Sequence, residues 1–190
     1  MSDLKSIANF LYESGMLNRT PRSGFQFLGS GHQSVAEHSY RTAVISYVLG
    51  MLDGTVDVGR MLKEAIFHDL GETRVSDLSH VHQKYNVRRQ AEAVKDIAAN
   101  LPFGQDIVQS YAEHEERATP ESILVKDADT LEWMISLKEQ VDIGNERANT
   151  WIAYAEKRLK TEVAKQLAKE ILKTDSNEWW GGEEGGVWWS

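Results

Sequence analysis

The chain predicts an all-α protein, on three observations. Apolar residues recur at three- and four-residue spacing along most of its length, no stretch shows the strict alternation of a half-buried strand, and only Pro21, Pro102 and Pro120 interrupt it. A length of 190 residues suits one domain with its own core, and no internal repeat is present.

Ile7, Phe10 and Leu11 share one helical face, and Gly15 ends that first helix. Residues 18–33 are turn-rich, through Thr20-Pro21-Arg22-Ser23-Gly24 and Gly29-Ser30-Gly31, and read as a long loop of the kind that often carries function. Ser34-Val35-Ala36-Glu37 reads as a capping box, in which hydroxyl and carboxylate satisfy free backbone N–H groups. The helix it opens runs to about Leu52, with His38 in its first turn. Asp57 caps the next helix, which carries Met61, Leu62, Ala65 and Ile66 to His68-Asp69. Residues 76–83 are irregular; helices follow from about Val87 to Asn100 and from Ile107 to about Glu115. Pro120 opens a helix carrying Ile123, Leu124, Leu131, Trp133, Met134 and Leu137, and a last long helix spans about Asn149 to Leu172. Residues 1–174 form the domain and 175–190 a tail rich in Trp and Gly. Trp179, Trp180, Trp188 and Trp189 lie there, and paired exposed Trp are costly enough to predict that they meet a surface.

Composition narrows the functions. With no Cys, disulfides and thiolate metal sites are excluded, which fits a cytoplasmic protein. Residues Met1 to Phe10 include Asp3 and Lys5 and do not read as a signal peptide. No run approaches the roughly 18 apolar residues of a membrane span, so no membrane association is expected. A net charge of −8 argues against nucleic-acid binding and requires that any anionic substrate meet a local positive centre.

His38, the pair His68-Asp69, and Asp129 offer such a centre. Two imidazoles and two carboxylates suit a borderline divalent cation and leave room for water. Each alone is weak: a single His in a helix is more often structural, and adjacent helical residues point about 100° apart. Together they bury polar groups in apolar stretches, Phe67-His68-Asp69-Leu70 and Val125-Lys126-Asp127-Ala128-Asp129, where a shared cation would offset the cost.

In order along the chain, these motifs resemble the HD-domain superfamily of metal-dependent phosphohydrolases, in particular its small-nucleotidase branch of deoxynucleoside 5′-monophosphatases. Leu17-Asn18-Arg19-Thr20-Pro21-Arg22-Ser23-Gly24-Phe25 is similar to that branch's Pro-Arg-x-Gly-Trp segment. Ser34-Val35-Ala36-Glu37-His38-Ser39 resembles its Ser/Asn-Val-x-Glu-His-Ser motif, and His68-Asp69-Leu70-Gly71-Glu72 its His-Asp-x-x-Glu. Val125 to Asp129 resembles the segment of the last ligand. The resemblance implies an HD-domain helical bundle, a homodimer and a nucleotide substrate. It implies one divalent transition metal (Mn, Co, Fe, Ni or Zn) held by His38, His68, Asp69 and Asp129. Glu72 and Asp77 would be the catalytic residues, Glu72 in proton transfer and Asp77 either in acid–base chemistry or in holding the leaving sugar oxygen. Arg22 would clamp phosphate, and Phe25, where the family has Trp, would pack on the sugar. On spacing alone, Glu72 reads equally as a solvated surface Glu.

The chain departs from the family at Phe25 and at Ser76, which stands where Gly is usual, and this bears on sugar selectivity. The implied reaction is hydrolysis of a phosphomonoester. Two rivals stand beside it. One is an HD hydrolase of guanosine polyphosphate alarmones, disfavoured by Thr73 where an acidic residue is typical. The other is a non-catalytic nucleotide-binding HD module, disfavoured by Glu72 and Arg22. His32, His80, His82 and His114 are left over, and read more simply as surface residues or as neighbours of the ligands.

Overall fold

In the computed structural model, which describes residues 4–181, one helix organises the others. The elements are α1 (Leu4–Ser14), a 3₁₀ turn (Gly15–Asn18), α2 (Gly24–Leu28), α3 (Val35–Asp53), α4 (Val58–Phe67), α5 (Glu72–Val75) and α6 (His80–Gln83). They continue with α7 (Gln90–Ala98), α8 (Gly104–Glu116), α9 (Pro120–Asp142), α10 (Arg147–Glu156), α11 (Glu162–Lys173) and α12 (Glu178–Gly181). Helix α9 packs against α3, α4, α8, α10 and α11. Its start is set by Pro120 in the first turn and by Thr119, whose hydroxyl accepts from the Ser122 amide. Leu124, Val125, Ala128, Leu131, Met134 and Leu137 of α9 are all essentially inaccessible to solvent. Each such large side chain contributes about 1.5–3 kcal/mol by burial. A smaller cluster of Leu70, Val94, Ile97, Leu101, Ile107 and Tyr111 joins α7 and α8 to the turn after α4.

The fold is the expected all-α one, and among the described residues the one β-type pairing is a bridge between Pro21 and Ser34. The Ser34–Glu37 capping box and the Asp57 cap are both formed. Three local expectations change. The loop of 18–33 contains α2, and the irregular 76–83 contains α6. The long C-terminal helix is two helices, broken between Glu156 and Glu162. Asp127 explains the break: buried in α9, it accepts hydrogen bonds from the Lys160 amide (2.9 Å), the Thr161 amide (2.8 Å) and the Thr161 hydroxyl (2.7 Å). A continuous helix would tie up those amides and leave the carboxylate buried without donors. Asp127 therefore does not share a cation with Asp129, contrary to the sequence expectation.

The tail begins with α12, with Ser176 N donating to Asp142 Oδ2 (3.0 Å). Trp179, 82% exposed on this single chain, lines a groove with Ile135, Leu167 and Ile171, and Trp180 is 41% exposed. Trp188 and Trp189 lie outside the described residues.

Candidate active site

The capping box fixes the first turn of α3 and with it His38, which is fully buried. Its Nδ1 donates to Glu132 Oε2 of α9 at 2.5 Å, which leaves Nε2 pointing away from the carboxylate. His68 follows α4. Its Nδ1 lies 2.7 Å from the Ala65 carbonyl, which can only accept, so Nδ1 donates there and the ring is held with Nε2 turned to His38 and Asp69. The two Nε2 atoms are 3.3 Å apart. Asp69 Oδ2 is 3.2 Å from His68 Nε2 and 3.6 Å from His38 Nε2. Because α4 ends at Phe67, the pair 68–69 sits on a turn rather than mid-helix, and neighbouring side chains can reach one point.

These three donor atoms converge as a cation-binding set does: ligands about 2.0–2.2 Å from one ion lie roughly 3–3.6 Å from one another. His38, His68 and Asp69 thus fit a divalent ion, each His oriented by a bond from its other nitrogen. Asp129 joins through His38, its Oδ1 being 3.2 Å from Nε2, while its Oδ2 accepts from Lys126 Nζ at 2.5 Å. Against the cost of burial, His68, His38 and Arg22 hold Asp69 well below the usual carboxylate range. Asp129 is likewise lowered, against burial, by Lys126, His38 and His68.

Arg22 is brought in by the bridge Pro21–Ser34 and by its own amide, which donates to Gln33 O at 2.8 Å. Its Nη1 is 3.6 Å from both Asp69 Oδ2 and Asp77 Oδ2. Asp77 also accepts from the Ser23 amide (3.0 Å), so loop and carboxylate hold each other in place. Gly24 is required here, since a Cβ would lie 2.8 Å from the Trp133 ring. Phe25, expected at the sugar, instead turns into the core, edge-on to Trp133 with ring centroids 5.2 Å apart. It seats the Arg22 loop and offers little surface to a substrate.

Glu72 is buried, not solvated. Gln90 Nε2 donates to its Oε1 at 2.8 Å, while Oε2 has no partner among the described residues. Burial, then Asp69 and Asp77, push its pKa up to about 9. The turn from His68 to Glu72 lies close on α7, where a Cβ on Gly71 would meet the Gln90 carbonyl at 2.9 Å. Ser76, next to Asp77, has φ 64° and ψ 164°, a conformation essentially reserved for glycine. Relieving about 1–3 kcal/mol of strain should outweigh glycine's entropic cost of roughly 0.5–1 kcal/mol. Ser76→Gly is therefore expected to raise the melting temperature by a few degrees with activity retained, and a lower melting temperature would show the serine to be unstrained.

Sequence reasoning missed Glu132. It is fully buried and is the partner of Gln33 Nε2 (2.6 Å), Arg41 Nε (3.0 Å) and Ser136 Oγ (3.1 Å) as well as His38. The one signal for it was its position three residues after Asp129, on the same face of α9. Gln90 carried no such signal. Of the remaining histidines, His114 is buried with its ring 5.3 Å from that of His68, His82 lines a cavity beside Asp77, and His32 and His80 are exposed.

The 5′-deoxynucleotidase hdd1 of Schizosaccharomyces pombe is 27% identical, over 92% of this chain and 92% of that protein. The 5′-deoxynucleotidase HDDC2 of Danio rerio is 30% identical, over 74% of this chain and 72% of its own length. A conserved hypothetical protein of Pyrococcus furiosus has a similar structure, with a TM-score of 0.77 and 30% identity over 88% of this chain and 99% of that one. The HD-domain family matches residues 14–172, and the chain belongs to that family.

Proposed function

We propose that this chain is a metal-dependent phosphohydrolase that cleaves nucleoside 5′-monophosphates, deoxynucleotides in particular, to nucleoside and phosphate. The observation that carries the reading is the convergence of His38 Nε2, His68 Nε2 and Asp69 Oδ2 within 3.2–3.6 Å, beside an arginine. The activity named for the yeast and zebrafish relatives supports it. His38, His68, Asp69 and Asp129 would hold one ion, and Mn, Co, Fe, Ni and Zn all suit such ligands. When bound, such an ion supplies a Lewis acid for a phosphoryl oxygen and brings the pKa of water close to neutral.

The protein's own groups do the rest. Arg22 offers a planar fork to phosphate and balances the charge that builds on the transferring group. Glu72, buried and with one oxygen unengaged, moves a proton between the site and the leaving 5′-oxygen. Asp77, fixed by the Ser23 amide and 3.6 Å from Arg22 Nη1, assists the acid–base chemistry or holds the leaving sugar oxygen. Arg22→Lys keeps the charge but loses the fork. It is expected to lower kcat/KM about 10–100-fold, the worth of one or two charge-assisted hydrogen bonds, with metal content unchanged. Unaltered kinetics would assign the phosphate to another residue.

Phosphate release from a panel of ribo- and deoxynucleoside monophosphates, with a guanosine polyphosphate alongside, tests the function. Turnover of deoxynucleoside monophosphates supports it, and turnover of the alarmone alone would replace it.

The reading includes a cytoplasmic homodimer. Tyr40, Val44, Tyr47 and Met51 lie along one exposed face of α3, from 46% to 74% accessible, and such stripes commonly meet a partner. No described helix is long and apolar enough to cross a membrane.

A further inference from the structure

A cavity of about 370 Å³ has Asp77 in its lining, the carboxylate that lies 3.6 Å from Arg22 Nη1. Its volume lies in the range of small-ligand pockets, roughly 300–1,000 Å³. Pro21, Ser23 and Asp77 form one wall, so it begins where the Arg22 loop ends. Leu78 and Val87 give it apolar surface, and Gln26, His82 and Asn86 bring three polar side chains to it from α2, α6 and the segment after α6.

Those polar groups have hydrogen-bonding capacity to spare. The Gln26 amide makes no side-chain hydrogen bond among the described residues, and neither does the His82 ring, which rests edge-on to Phe27 at 6.1 Å. Asn86 Nδ2 donates to the His82 carbonyl at 2.9 Å, which fixes the amide and leaves its Oδ1 available as an acceptor. A flat, partly apolar ligand bearing both donors and acceptors would match this lining, and a nucleobase is such a ligand.

We propose that this cavity holds the nucleoside of the substrate, with the sugar at Asp77 and the base read by Gln26 and Asn86. The proposal rests on the nucleotidase reading and adds to it a base preference. Amide side chains pair well with the adjacent donor and acceptor of adenine, whereas the paired acceptors of guanine call for Arg or Lys. None of the residues lining the cavity is Arg or Lys. Deoxyadenosine monophosphate should therefore be preferred over deoxyguanosine monophosphate.

The test uses the full chain, with deoxyadenosine as the probe. Its Kd, measured by calorimetry, should rise about 3–10-fold in Gln26→Ala and again in Asn86→Ala, as for the loss of one hydrogen bond each. Val87→Trp, which fills the cavity, should remove binding. In kinetics, the ratio of kcat/KM for deoxyadenosine monophosphate to that for 2-deoxyribose 5-phosphate, which has no base, should fall by the same factors, chiefly through KM. Unchanged deoxyadenosine affinity in all three variants would overturn the proposal. So would a wild-type ratio near one. If the wild type binds deoxyadenosine in this cavity but releases no phosphate from any nucleotide, the nucleotidase reading fails and the pocket stands.

Discussion

Asp69→Ala should lose both the ion and the activity. Asp69 is the carboxylate on which the site converges, 3.2 Å from His68 Nε2 and 3.6 Å from both His38 Nε2 and Arg22 Nη1. Its removal leaves the two imidazole nitrogens 3.3 Å apart with Asp129 as the one carboxylate of the set beside them, and Arg22 with Asp77 as its nearest ion-pair partner. A bound ion takes several kcal/mol off the barrier, so without it turnover should drop by about 10³ or more. Because ion binding adds to folding free energy, the melting temperature of the metal-supplemented protein should also fall. Elemental analysis of the purified variant decides the matter: full metal occupancy in Asp69→Ala would remove this residue from the ligand set.

Glu72→Gln should separate chemistry from binding. The amide keeps the shape and can still meet Gln90, but it cannot carry a proton to or from the substrate. Turnover should fall on the order of 10²–10⁴, with metal content and nucleotide affinity retained. The raised pKa of Glu72, about 9 from burial and then from Asp69 and Asp77, keeps it protonated at neutral pH. It can therefore act as the acid for the leaving oxygen, and wild-type kcat should decline as rising pH removes that proton. A cation held beside Asp69 pulls the other way and moves the decline below pH 9. Glu72→Gln should lack this alkaline limb. Loss of metal with turnover preserved would make Glu72 a ligand instead.

Much of the site was legible because its residues lie in local motifs. Helix α3 begins where Ser34 and Glu37 cap it, so His38 could be placed in its first turn, and the grouping of His38, His68 and Asp69 follows from short motifs that each end or begin a helix. What was not legible depends on contacts distant in sequence. Glu132 meets His38 across 94 positions and Gln90 meets Glu72 across 18, and no local pattern encodes such pairs. Asp127 and Asp129 are two residues apart on α9, hence on different faces. One caps the start of α11 and the other turns to His38, a choice that only the packing of α9 against both neighbours decides. Phe25 was misplaced for a related reason: its ring and Trp133 pack on each other inside the core.

The most direct test of the account strips the full-length wild-type protein with a chelator and adds back a single divalent metal in steps. Bound metal and phosphate release from deoxyadenosine monophosphate are measured on the same samples. The account predicts negligible release from the stripped protein and activity that rises in proportion to bound metal, reaching its plateau at one ion per chain. Full activity in the stripped protein, or a fully loaded protein that releases no phosphate, would contradict it.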